Sequence, residues 1–216
     1  MINLFFNILI SYLIGSLSGS LILGRFKGID IRKMGSGNAG GTNAFRTQGF
    51  LFALGVIIFD VLKGFVSAKF ISTLKLFNLG ISLNINSELG ILICGMSAVL
   101  GHVYPIFHKF KGGKGAGAAI GMLLCLHPIS VVFAVLIWTI VLILTGFVGL
   151  GTIIGGSSIP IYLFITGESS EFIYFPIISI ILALFIFFTH RTNIQRMLKG
   201  TENQFEKAML LKKYLK

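Results

Sequence analysis

Residues 128–150 read PISVVFAVLIWTIVLILTGFVGL, a run of 23 residues without a charge. A helix needs about 20 consecutive apolar residues to cross the ~30 Å hydrocarbon layer of a bilayer, and this run supplies them. Six further segments fit the same template with less margin: 2–24, 49–71, 89–107, 115–126, 151–166 and 172–189. Across all 216 residues, 55% are hydrophobic and 12% charged, and the mean hydropathy is +0.92. Soluble domains carry about 25% charged residues, so an ordinary soluble enzyme and a disordered chain are both excluded. The expected fold is all-α, a polytopic integral membrane protein with about seven transmembrane helices. The fourth and sixth segments read as short, the sixth interrupted by Gly155, Gly156 and Pro160. Residues 1–216 read as a single transmembrane domain, with 190–216 a basic cytoplasmic tail suited to an amphipathic surface helix. The apolar N-terminus has no basic lead-in and reads as a retained helix rather than a signal peptide.

The net charge is +11, from 18 Lys and Arg against 7 Asp and Glu. In a membrane protein such an excess marks cytoplasmic loops facing anionic lipid, so no nucleic-acid partner is called for. With seven spans, fifteen of the 18 basic residues fall on one side. The N-terminus is therefore expected outside and the C-terminus in the cytoplasm. Cys94 and Cys125 sit in apolar runs and read as small buried hydrophobes; no metal or disulfide spacing is present.

Three polar motifs lie on the basic side. In the first, residues 35–46 read GSGNAGGTNAFR. Its glycines let backbone N–H groups converge on an anion. Ser36, Asn38, Thr42 and Asn43 add short polar groups, and Arg46 adds a fork suited to phosphate. Gly37, Gly40 and Gly41 complete the candidate cradle. In the second, residues 110–117 read FKGGKGAG. Lys111, Gly112, Gly113 and Lys114 precede a helix start, where amides and dipole favour an anion. The spacing is not that of a nucleotide P-loop. The third, 189–194, reads THRTNI. His190 and Asn193 are three apart and would share a helix face. Each motif alone is compatible with a flexible or topology-setting loop, but three on one membrane face point to a cytoplasmic phosphate-binding site. Asp60 and Lys63 are also three apart, inside the second span. They read as a pair holding each other or the first loop, because lone charges there are costly. His102 is a candidate wall of the site, and His127, on the opposite face, reads as structural.

These motifs, in this order, resemble the bacterial acyl-phosphate:glycerol-3-phosphate acyltransferase family. The match runs through Asp60, Lys63-Gly64, Gly101-His102, Pro105 and Gly200-Thr201-Glu202-Asn203 to cover nearly the whole chain. The resemblance implies a seven-span inner-membrane enzyme. It would move a fatty acyl group from acyl phosphate to the first hydroxyl of glycerol 3-phosphate, giving lysophosphatidic acid and phosphate, the first acylation of phospholipid synthesis. It assigns residues 36–43 to the acyl-phosphate headgroup, and Arg46, Lys114, His190 and Asn193 to glycerol 3-phosphate and the transferred group. Ala39 and Gly41 are smaller than the family's usual residues. The fifth span ends in TGFVGL (145–150), without the family's arginine and serine; Thr152 is a candidate for the missing hydroxyl. The resemblance implies no cofactor, no metal and no obligatory protein partner beyond membrane lipid.

The chemistry agrees. An acyl phosphate is already activated, so positioning and electrostatic stabilisation suffice. The His-x-x-x-x-Asp pattern of another acyltransferase class is missing, since Phe107 follows five residues after His102 and Gln195 five after His190. The alternatives are a small transporter or channel for phosphate or a phosphorylated metabolite, and a purely structural membrane protein.

Overall fold

The structure is a computed structural model describing residues 2–76, 87–170 and 172–209. Asn78, Asn84 and Asn86 of the connector, Glu171, and Lys212, Lys213 and Lys216 of the tail lie outside the described residues. Among the described residues all regular structure is helical. Four stretches are each long and apolar enough to cross a membrane: Phe50–Thr73, Ser87–His108, Pro128–Thr145 and Val148–Ile165. Two bent pairs pass the same test together, Ile2–Gly15 with Gly19–Phe26 (44°) and Phe175–Thr189 with Arg191–Leu198 (51°), and Ala116–Leu126 is a shorter apolar helix. The chain is an all-α, multi-pass membrane protein, and each expected segment has its helix. It divides into two compact units, Met1–Leu126 and His127–Lys216.

The first unit holds α1 (Ile2–Gly15), α2 (Gly19–Phe26), α3 (Gly41–Gln48), α4 (Phe50–Lys69), α5 (Ser87–Val103) and α6 (Ala116–Leu126). The hydrophobic effect does not drive helices together in lipid, so close packing of small residues must do so. Gly64 of α4 lies on the Ala118 backbone of α6, and Gly15 of α1 on the Ala98 backbone of α5, so close that neither site has room for a Cβ. The first expected span is broken at residues 16–18, where the chain bends between α1 and α2. Asn7 in α1 is buried and donates to the Leu74 carbonyl at 3.1 Å.

The second unit holds α7 (Pro128–Thr145), α8 (Val148–Ile165), α9 (Phe175–Thr189) and α10 (Arg191–Leu198). Proline suits the first turn of α7, where its missing N–H costs nothing. His127 caps that turn, its Nδ1 accepting from Ser130 N–H at 3.3 Å. Its Nε2 lies 2.8 Å from Glu168 Oε2, and the ring packs against Phe172 and Phe175. Two boundaries differ from the sequence reading. The fifth span stops at Thr145, because Gly146 takes a left-handed φ of 71° and its N–H closes on the Leu142 carbonyl. Residues 148–150 join the next helix, so the sixth span is 18 residues long, with Pro160 inside it, and is not short. Trp138 packs against Gly151. Among the described residues of the expected tail, the α-helix is α10.

Candidate active site

In the first unit, residues 35–43 fold around one side chain. Asn43, 2% exposed, sits in the first turn of α3 and points back into the loop. Its Oδ1 accepts from Ser36 N–H at 2.9 Å. Its Nδ2 donates to the carbonyls of Ile31 (3.1 Å), Met34 (3.0 Å) and Asn38 (2.9 Å). Asn43 is thus the internal hub of the loop. Asn38 Oδ1 accepts from Gly40 N–H at 2.8 Å, taking the amide that precedes α3. Gly35 and Gly37 turn the chain at φ of 55° and 73°. The N–H groups of Gly41, Thr42 and Asn43 open α3, and a helix offers no internal acceptor for its first-turn amides. Ser36, Gly37 and Thr42 are exposed beside that end; Arg46 is half-buried in the last turn. The small residues have packing reasons. Ala39 is 1% exposed and its carbonyl accepts from Ser20 Oγ at 2.6 Å. A Cβ at Gly41 would lie 2.6 Å from Ile57 Cγ1.

The second loop is built differently. Gly112 N–H donates to the Val103 carbonyl (3.2 Å) and Gly113 N–H to the His102 carbonyl (3.1 Å). Their amides close the end of α5, so these two N–H groups are committed, and the amides that open the next helix begin at Ala116. Neither glycine has room for a Cβ, which at 112 would collide with the His102 carbonyl and at 113 with the His102 ring. What this loop offers outward is Lys111, exposed, and Lys114, half-buried. Arg32 joins the two loops. It makes a two-pronged pair with Asp30 (Nε–Oδ1 3.0 Å, Nη2–Oδ2 2.8 Å) and donates from Nη1 to the His108 carbonyl at 3.3 Å. The Arg32 hydrogen bonds hold the Asp30 carboxyl down at about 2.

Beneath the loops Asp60, Lys63 and His102 cluster, 3–5% exposed. Asp60 Oδ1 lies 3.0 Å from Lys63 Nζ and 3.3 Å from His102 Nδ1. His102 therefore sits behind the second loop, packed on Gly113.

In the second unit, His190 occupies the bend between α9 and α10 rather than a continuous helix face. It is buried, with Nδ1 2.8 Å from the Ile186 carbonyl. A carbonyl can only accept, so this nitrogen carries the proton, and a neutral ring holds its lone pair on Nε2. Asn193 Nδ2 donates to Glu202 Oε1 at 2.9 Å, and Arg196 Nε to Glu202 Oε2 at 2.6 Å. Glu202, nine-tenths buried, was not among the expected site residues. Its signal in the sequence is weak: one of two acids in a basic tail, brought back by the left-handed turn at Gly200 (φ 67°). Thr152 Oγ1 donates to the Val148 carbonyl of its own helix at 2.9 Å.

The family model for glycerol-3-phosphate acyltransferase matches residues 5–200. The chain belongs to the glycerol-3-phosphate acyltransferase family. It is an acyltransferase of the membrane, and membership decides against the transporter reading. The family member of Chlorobaculum parvum is 40% identical over 91% of this chain and 94% of its own. That of Chlorobium limicola is 38% identical over 94% and 97%. Among solved structures, the chain is similar to the crystal structure of PlsY (YgiH), an integral membrane glycerol 3-phosphate acyltransferase. For its glycerol 3-phosphate form the TM-score is 0.80, with 31% identity over 94% of this chain and 95% of that one. For its lysophosphatidic acid form it is 0.78, with 30% identity over 93% and 94%.

Proposed function

We propose that this chain transfers a fatty acyl group from acyl phosphate to the first hydroxyl of glycerol 3-phosphate. The observation that carries the acceptor is the likeness to PlsY, solved in forms named for glycerol 3-phosphate and for lysophosphatidic acid. The donor is argued from the chemistry of the side chains. The hydroxyl oxygen attacks the acyl carbonyl, an ester C–O bond forms, and the bond from the acyl carbon to the phosphate oxygen breaks. The hydroxyl proton leaves to His190 Nε2 or to an oxygen of the departing phosphate. No nucleophile of the enzyme is needed, because the leaving group is good.

The binding work is electrostatic. The first-turn amides of α3, with Ser36 and Thr42 beside them, face the acyl-phosphate headgroup. Arg46, Lys111 and Lys114 bring positive charge to glycerol 3-phosphate and to phosphate as it forms. His190 and Asn193 hold the acceptor hydroxyl, Asn193 oriented through Glu202. The loops and the tail face the cytoplasm across the bacterial inner membrane, with the N-terminus outside; the charge bias supports that orientation.

The test is an assay of purified protein in detergent, with acyl phosphate or an acyl thioester as donor. Phosphate release dependent on glycerol 3-phosphate is expected with the first donor alone. Product from the thioester alone would sink the donor assignment. Lys114→Ala and His190→Ala should each lower turnover in protein that remains folded.

A further inference from the structure

A buried charge pair is seldom retained for stability, since well-packed apolar residues often do as well, and in a membrane span the cost is larger. Asp60 and Lys63 are 4% and 3% exposed, inside α4. Their contacts lead to both loops. Lys63 Nζ donates at 2.8 Å to the Leu17 carbonyl, in the break between α1 and α2. One turn on, Ser20 Oγ donates at 2.6 Å to the Ala39 carbonyl of the first loop. On the other side, Asp60 Oδ1 lies 3.3 Å from His102 Nδ1, and the His102 carbonyl accepts Gly113 N–H at 3.1 Å. The second loop is seated on the same group, for a Cβ at Gly117 would lie 2.9 Å from Asp60 Cβ and one at Gly113 would strike the His102 ring. A single chain of contacts therefore runs from Ala39 through Ser20, Leu17, Lys63, Asp60 and His102 to Gly113.

We propose that Asp60, Lys63 and His102 are positioning residues that set the spacing between the glycine–asparagine loop and the Lys-Gly-Gly-Lys loop, and so the reach of both loops to the two phosphorylated substrates. The catalytic meaning of that spacing rests on the acyl-transfer reading; the spacing itself does not. Lys63 also donates to a backbone carbonyl, a directional tie that an apolar filling could not make. Misplacement by about 1 Å costs up to a hundredfold in rate.

Two variants test this. Asp60→Asn/Lys63→Met removes both charges together and leaves no unpaired ion. Ser20→Ala cuts the link to the first loop without touching the charges. Spin labels on Thr42→Cys and Lys111→Cys, in a Cys125→Ser background, report the distance between the loops in detergent without any need for turnover. The expected result is a shifted or broadened distance distribution in both variants, with melting temperature close to that of the parent in Ser20→Ala and lower in the double variant, where the Leu17 carbonyl loses its donor. In the unlabelled proteins KM for glycerol 3-phosphate should rise about tenfold in the double variant and about threefold in Ser20→Ala. A merely structural role would lower the melting temperature of Ser20→Ala as well and leave KM in the folded fraction unchanged. Parental distances and KM in folded Ser20→Ala and in the folded double variant would overturn the proposal. Absence of turnover in the parent would instead overturn the acyl-transfer reading, and the label distances would still decide this one.

Discussion

The two glycine-rich loops of the first unit have similar composition and opposite construction. In residues 35–43 Gly35 and Gly37 bend the chain, and Asn38 and Asn43 absorb its polar groups ahead of the amides that open α3. In residues 110–117 Gly112 and Gly113 let the backbone lie against the end of α5, and their amides are spent there. The left-handed turn before them is made by Lys109 and Phe110, at φ of 55° and 58°. The second loop seats its backbone on α5 and carries Lys111, exposed, and Lys114, half-buried. Glycine serves φ at positions 35, 37 and 115 and clearance at 41, 112 and 113.

This contrast can be broken or sharpened by substitution. The largest effect is expected from Asn43→Asp, which turns a donor shared by three carbonyls into an acceptor facing them. Several buried groups lose partners at about 1–3 kcal/mol each. Thermal unfolding in detergent should show a loss above roughly 3 kcal/mol, with acyl transfer abolished; a parental melting curve would refute the hub. Next comes Gly113→Ala, where the new methyl meets the His102 ring. Overpacking of this kind costs about 1–3 kcal/mol, and KM for glycerol 3-phosphate should rise while the first loop stays intact. If alanine were tolerated at 113 in full, clearance would not be what glycine supplies. Lys109→Gly should act in the opposite sense. It relieves a left-handed residue that costs about 1 kcal/mol, so the melting temperature should rise slightly or hold.

The smallest effect is at the exposed join between the loops. Asp30 has its folded pKa lowered from 3.8 to about 2 by the Arg32 hydrogen bonds. A depressed carboxylate contributes stability above its unfolded pKa and loses it as pH falls through the folded one. Asp30→Asn should therefore cost about 0.5 kcal/mol near neutral pH, in keeping with a partly exposed pair. Its difference from the parent should close as pH drops from 3.8 towards 2. A difference that widened in acid would contradict the pairing.

The spans were legible because hydrocarbon imposes a length and forbids charge, and a run such as 128–150 has no soluble alternative. Their ends were less so. Gly146 looks like one more small residue in an apolar stretch, and only its left-handed backbone shows that it ends α7. The bend at residues 16–18 has no proline to announce it, and its carbonyl is satisfied by a lysine 46 positions away. In the three polar motifs, side-chain direction was not available from spacing. Asn43 points inward, and the amides of Gly112 and Gly113 face α5. His190 sits at a bend, which the three-residue spacing to Asn193 did not reveal. Glu202 was missed because a carboxylate among tail lysines looks solvated until the fold returns it to Asn193 and Arg196.

The Leu17 carbonyl has a consequence for biogenesis. A peptide oxygen open to lipid is expensive, and the donor that quiets this one is on α4, made later by the ribosome. Until Lys63 has been made, that carbonyl lacks the donor it has in the finished fold. Nascent chains halted before that point should remain associated with the translocon, and those halted after α4 should be released into lipid.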